Sequence, residues 1–195
     1  MHGLINKAIQ CYLRDTFGPA CWTEIAHRAR IGIENFEPML TYPSAMTEAV
    51  LVAACEILRR PRDGLLEDMG TYLVSTPQLE PLRRLLRFGG GDFEEFLHSL
   101  EDLPGRGRLA LPDLELPDFV LTSLDAGRYR LRCRGALPGT GHVMMGLLRA
   151  MADDYGALAL LDHLGMTEDG EDIAIELLET GFAEGRSFDL AIRAG

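Results

Sequence analysis

Apolar residues at Ile5, Ile9, Tyr12 or Leu13, and Phe17 recur at helical spacing, and Gly18-Pro19 ends the run, so the opening of the chain is expected to form an amphipathic helix. A short second helix is expected around Trp22, Ile25 and Ala26, and Pro38 to Pro43 reads as a connection. Met46 to Leu58 is an alanine-rich apolar helix closing on Arg59-Arg60-Pro61, where basic residues suit the negative end of the helix dipole. Gly64 to Val74 predicts a further helix that ends before Pro77. Leu79 to Phe88 predicts a basic-faced helix stopped by Gly89-Gly90-Gly91. Asp92 can cap the next one, Phe93 to Leu103.

The pattern then changes. Pro104, Gly105, Gly107, Pro112 and Pro117 argue against a helix and mark an ordered linker. Asp118 to Ser123 reads as a strand, Asp125-Ala126-Gly127 as a turn, and Arg128 to Cys133 as a half-buried strand that alternates arginine with Tyr129, Leu131 and Cys133. Gly141 to Tyr155 carries Val143, Leu147 and Met151 on one helical face. Ala157 to Leu164 and Asp172 to Leu178 read as strands joined by a turn at Thr167 to Gly170. The fold class is therefore α+β, with a helical half over 1–104, a linker over 105–117 and a mixed half over 118–195. The mixed half should be a small antiparallel sheet with one long helix on its face.

Charge narrows the function classes. The 195 residues carry 30 acidic against 19 basic side chains, a formal net charge of -11. Nucleic-acid binders need a basic footprint, and so does docking on an anionic membrane, so neither partner is expected. No signal-peptide pattern opens the chain and no apolar run reaches the roughly 20 residues of a membrane span, so a cytoplasmic location is expected. Cys11, Cys21, Cys55 and Cys133 form no CxxC pair and read as four free thiols, mostly buried.

No hydrolase or transferase motif is present, and no enzyme activity is expected. His2, His27, His98, His142 and His163 show no i, i+4 pair and no HExxH, so local spacing builds no multi-histidine metal site. A single axial ligand to a haem needs only one histidine. Arg128, Arg130, Arg132 and Arg134 share one strand face, either to recognise an anion such as a carboxylate or to form the charged outer face of an edge strand.

Several segments together carry a family resemblance. Met1-His2-Gly3-Leu4-Ile5 with Gly18 and Trp22, then Leu65-Leu66-Glu67-Asp68-Met69-Gly70-Thr71-Tyr72-Leu73, resemble the haem–nitric oxide/oxygen-binding (H-NOX) family, stand-alone bacterial type. So do Phe96-Leu97, Leu100, Leu103, Pro112, Pro117-Asp118-Phe119, Gly146-Leu147-Leu148 and Tyr155-Gly156. The resemblance implies haem b bound between two halves. The features carrying that function are a proximal histidine on a signal helix, a porphyrin-distorting proline and a Tyr-x-Ser-x-Arg grip on the propionates.

Pro117 matches the distorting proline, but the proximal histidine position falls on Pro104, which cannot ligate iron. If Tyr129 takes the tyrosine place, the serine and arginine places hold Leu131 and Cys133, and Arg132 or Arg134 would have to replace the arginine. His98 lies six residues before Pro104, about 120° around a helix from the family ligand's face, and is the first substitute ligand; His142 is the other. Leu73 and Val143 match the distal pocket and donate no hydrogen bond to bound oxygen, which implies nitric oxide sensing if haem binds. The resemblance thus implies a haem-dependent nitric oxide sensor that regulates a histidine kinase or a diguanylate cyclase. The alternative is a haem-free interaction or hydrophobic-ligand module.

Overall fold

The structure, a computed structural model, describes residues 1–110, 112–135 and 137–187. The helices are α1 (Gly3–Phe17), α2 (Pro19–Arg28), α3 (Ser44–Leu58), α4 (Arg62–Ser75), α5 (Glu80–Arg87), α6 (Phe93–Ser99), α7 (Leu103–Ala110) and α8 (Thr140–Tyr155). The strands are β1 (Asp118–Asp125), β2 (Arg128–Arg134), β3 (Leu158–Thr167) and β4 (Gly170–Glu179). The fold is mixed, as the hydrophobic pattern predicts, with strand–strand–helix–strand–strand in the second part.

Local chemistry explains most boundaries. His2 caps α1 by accepting a hydrogen bond from the Leu4 amide, and Gly18 ends the helix at φ 93°. Pro19 then opens α2, where its missing N–H has no helical partner to lose. Asp92 caps α6 through the Glu95 amide, as expected.

The stretch after Leu103 corrects the sequence reading. It contains α7 rather than a helix-free linker, preceded by a 3-10 turn over Leu100–Asp102. Pro104 falls in the first turn of α7, where proline is tolerated, so it starts a helix instead of ending one.

The sheet is antiparallel throughout, in the order β1-β2-β4-β3. The β1–β2 register sets Phe119 opposite Cys133; the β2–β4 register sets Leu131 opposite Ile173 and Tyr129 opposite Ile175. These buried side chains form one apolar cluster with Met144, Leu148 and Met151 of α8 and with Phe93, Phe96 and Leu97 of α6. A second cluster holds Ile9, Leu13, Trp22, Ile25, Phe36, Val50, Leu51, Leu65 and Leu66. Leu86 of α5 and Phe93, Phe96 and Leu97 of α6 thus belong to the sheet's cluster, although these helices precede it in the helical part of the sequence.

Helices α4 and α8 join the two clusters, and glycine lets them cross closely. A Cβ on Gly70 would lie 2.0 Å from the Val143 carbonyl oxygen, and one on Gly146 only 1.8 Å from that of Glu67. Such contacts leave no room for any side chain. The crossing places Leu66, Met69 and Leu73 of α4 beside Val143 of α8, where the cavity opens.

Candidate ligand cavity

A cavity of about 530 Å³ lies where α1, α4, α8 and the segment before β1 converge. That volume is within the usual range for small-molecule sites, roughly 300–1,000 Å³. Its apolar wall includes Ile5, Ile9, Leu66, Met69, Leu73, Leu116, Leu137 and Val143, with Pro117 beside them. Polar groups are few: the amino-terminal Met1, His2, Thr41, Ser44, Asp113, Glu115, Arg134 and Thr140.

The structure brings together four of the residues singled out in the sequence: Leu73, Pro117, Arg134 and Val143 all line this cavity. It places the other four elsewhere. Tyr129 lies on the inner sheet face, with its hydroxyl donating to Glu94. Arg132 makes a bidentate pair with Asp172 at 2.7 and 2.9 Å, and its remaining nitrogen reaches Asp169 at 3.4 Å. That pairing holds the Asp172 carboxyl below its ordinary range.

His98 is exposed on α6, edge-on to Tyr129 with ring centroids 5.9 Å apart. His142 occupies a separate cleft, stacked on His163 with centroids 4.1 Å apart. Its two ring nitrogens face Glu67 at 3.3 Å and Asp63 at 3.5 Å, so it bridges α8 to α4. His163 accepts from the Gly165 amide at Nδ1 and donates from Nε2 to Glu171, which in turn accepts from the amides of Gly139 and Gly141 at the start of α8.

The arginine row needs a second correction. Because β2 is flanked by β1 and β4, the row does not lie on an edge strand. Arg128 pairs with Glu176 and Arg132 with Asp172 across to β4, which neutralises two of the four arginines. Arg134, at the end of β2, donates through Nε to the Asp169 carbonyl oxygen and is in no ion pair among the described residues.

The four thiols are free, as expected, but only Cys133 is fully buried; the other three are half-buried. Burial pushes the Cys133 thiol up to about 12, so it stays protonated and acts as an apolar side chain. Among the described residues, no group of three or more His, Cys, Asp or Glu is placed to hold a metal ion. No helix among them is long and apolar enough to cross a membrane.

The haem-NO-binding family model matches residues 2–159, most of the chain. The chain belongs to this family. It is 23% identical over 154 residues to a soluble guanylate cyclase, gcy-31, of Caenorhabditis elegans, covering 79% of this chain and 22% of that protein. Soluble guanylate cyclase 89Da of Drosophila melanogaster is 19% identical over 160 residues, 82% of this chain and 24% of that one. The chain thus spans about a quarter of the length of these relatives.

Its fold matches solved H-NOX structures. An H-NOX variant from K. algicida in the unliganded Fe(II) form superposes with a TM-score of 0.79 at 22% identity, over 92% of this chain and 97% of that one. An H-NOX protein from S. oneidensis in the Fe(II) state gives 0.79 at 17% identity, over 96% and 100%.

Membership raises the question of whether these residues fit a haem. The apolar wall suits a macrocycle, and Arg134 can meet one carboxylate. The iron side does not fit the family's arrangement. Pro104 is buried in α7 and has no donor atom, and Leu116, not α7, forms the described wall there. Leu116 lies against Gly107, where a Cβ would be 2.5 Å from its Cδ1.

His2 is the one histidine on the cavity wall, a position that no spacing argument singled out. Its Nδ1 accepts from the Leu4 amide at 3.2 Å, so in the neutral ring the proton sits on Nε2. Ligation through Nε2 would require that proton to move to Nδ1 and the α1 cap to break. The residues present do not fit a haem held through its iron.

Proposed function

We propose that this H-NOX domain is sensory rather than catalytic, and that it responds to a large apolar molecule held in the cavity between α1, α4 and α8 without an iron–histidine bond. The observation that carries this reading is the pairing of an apolar cavity with the absence of a ligating imidazole: Pro104, which the resemblance sets at the proximal position, has no donor atom, His98 and His142 lie outside the cavity, and the Nδ1 of His2 caps α1. Of the two functions the family resemblance left open, the geometry favours the haem-free one.

Occupancy of the cavity bears on α4 and α8 together, and these helices join the two apolar clusters. A ligand that favours one packing of the helices over the other would shift their relative position, and a partner docked on either side would read the shift. The relatives' names point to a nucleotide cyclase as the class of partner, and a histidine kinase or a diguanylate cyclase fits the same role.

The test is an absorption spectrum of protein purified from cells given a haem precursor, followed by hemin titration and mass spectrometry of an organic extract. The expected result is no stoichiometric Soret band and one apolar small molecule per chain in the extract. A stoichiometric band that nitric oxide shifts would overturn the proposal. Loss of that band in His2→Ala, His98→Ala or His142→Ala would then name the iron ligand.

A further inference from the structure

The charges at the cavity mouth narrow the ligand class. This inference rests on the proposed ligand-sensing role of the same cavity. Arg134 is the only guanidinium among the described wall residues, and both Asp113 and Glu115 stand exposed on the same rim. Arg128 and Arg132 of the same row pair with Glu176 and Asp172 of β4, whereas Arg134 spends only Nε, on the Asp169 carbonyl. Its two terminal nitrogens therefore have no described partner beside an apolar chamber. A guanidinium in that setting is a carboxylate receptor, because its fork presents parallel N–H donors.

Among the described wall residues Arg134 is the one guanidinium beside two carboxylates, and the Met1 amine on the same wall donates to the Tyr42 carbonyl oxygen at 2.8 Å. A ligand bearing one carboxylate can place it on Arg134 and turn only hydrocarbon toward the rest of the wall. A ligand bearing two must bring the second toward Asp113 or Glu115, where like charges repel. Deeper in, Ile5, Ile9, Leu66, Leu73 and Val143 offer nothing for a second polar head. An unpaired polar group buried there would lose its hydration without compensation.

We infer that the cavity selects an apolar molecule with a single carboxylate, a long-chain fatty acid, over dicarboxylate tetrapyrroles. The Arg134 guanidinium binds the carboxylate at the mouth, and the alkyl chain fills the space between α1, α4 and α8. Asp113 and Glu115 act as the selectivity element against a second carboxylate.

The test is fluorescence titration of the full chain with cis-parinaric acid, competed by palmitic acid, its methyl ester, hexadecanedioic acid and protoporphyrin IX. Saturable binding of one parinaric acid per chain is expected, displaced by palmitic acid and poorly by the two dicarboxylates. Arg134→Gln should weaken palmitic acid roughly tenfold and leave the methyl ester unchanged, as expected for loss of one charge-assisted contact. Asp113→Asn with Glu115→Gln should tighten the dicarboxylates several-fold and palmitic acid much less. Leu73→Trp, which fills the cavity from α4, should abolish binding while circular dichroism shows the fold intact.

If protoporphyrin IX binds tightly and the fatty acids do not, the ligand class is wrong while the sensory reading of the cavity stands. If no probe binds at all, both fail. Fatty-acid binding indifferent to Arg134→Gln would overturn the assignment of the carboxylate site.

Discussion

Asp154 shows how much one side chain can carry in this fold. It is fully buried on α8, and Arg83 of α5, itself nearly buried, donates to it at 2.8 Å. Arg87 approaches the same carboxylate at 3.6 Å, and the Arg186 amide reaches the Asp154 carbonyl oxygen. Removing one partner of a buried pair leaves the other desolvated and uncompensated. Asp154→Ala should cost about 3–5 kcal/mol in urea denaturation, whereas replacing exposed Glu56, paired with Arg28, should cost under about 1 kcal/mol. Asp172 gives the pH counterpart. Its carboxyl is held below the ordinary range by Arg132, so the folded state binds this proton less readily than the unfolded one. The stabilisation is complete above the unfolded value of about 3.9 and fades as pH falls through the lower folded value. Asp172→Asn should lower the melting temperature at pH 7, and the deficit should shrink progressively as pH falls below about 3.9. A melting deficit that persisted undiminished at low pH would sink that account.

At the scale of elements, glycine separates contacts that matter from those that do not. Gly146→Ala would drive a methyl into the Glu67 carbonyl, and backbone cannot yield as a flexible side chain can. A loss of at least about 2 kcal/mol is expected, with α4 and α8 forced apart and weaker ligand binding in the same cavity. Gly105→Ala, inside α7 with nothing within 4 Å of the added Cβ, should instead stabilise by about 0.5–1 kcal/mol through helix propensity. Equal effects of the two substitutions on the denaturation midpoint would refute the packing argument. Helix α7 was also the element hardest to read in the sequence. Its Pro104 and two glycines carry breaker chemistry, and what makes the helix possible is position: the proline sits in its first turn. The strand β2 was legible from its alternation, but its place inside the sheet was not. The pairing of Arg132 with Asp172 depends on β4, which is 40 residues distant in sequence.

For the whole molecule, the decisive fact is that the two apolar clusters meet across α4 and α8 beside the cavity. A ligand that binds only the folded state stabilises it by mass action. At a free concentration one hundred times its dissociation constant, the bound molecule should raise stability by about 2.7 kcal/mol, measurable as a rise in melting temperature. The rise should vanish in Leu73→Trp. A rise that persisted there would place the ligand elsewhere.

The sequence alone determined the α+β class, most of the helices and strands, the free thiols and the family motifs, because periodicity, caps and turn residues act within a few positions of one another. The family resemblance, read by spacing from Pro112 and Pro117, sets Pro104 against the proximal position, an expectation that needs only local sequence. Which side chains share the cavity was decided by tertiary structure. Leu73, Pro117, Arg134 and Val143 come from four separate segments and meet only because α4 and α8 cross at two glycines. His98 and His142 could be nominated from their residue type, but whether an imidazole faces the cavity depends on how its helix is rotated in the packed fold. That rotation is set by the opposing apolar surfaces rather than by the spacing of the histidines.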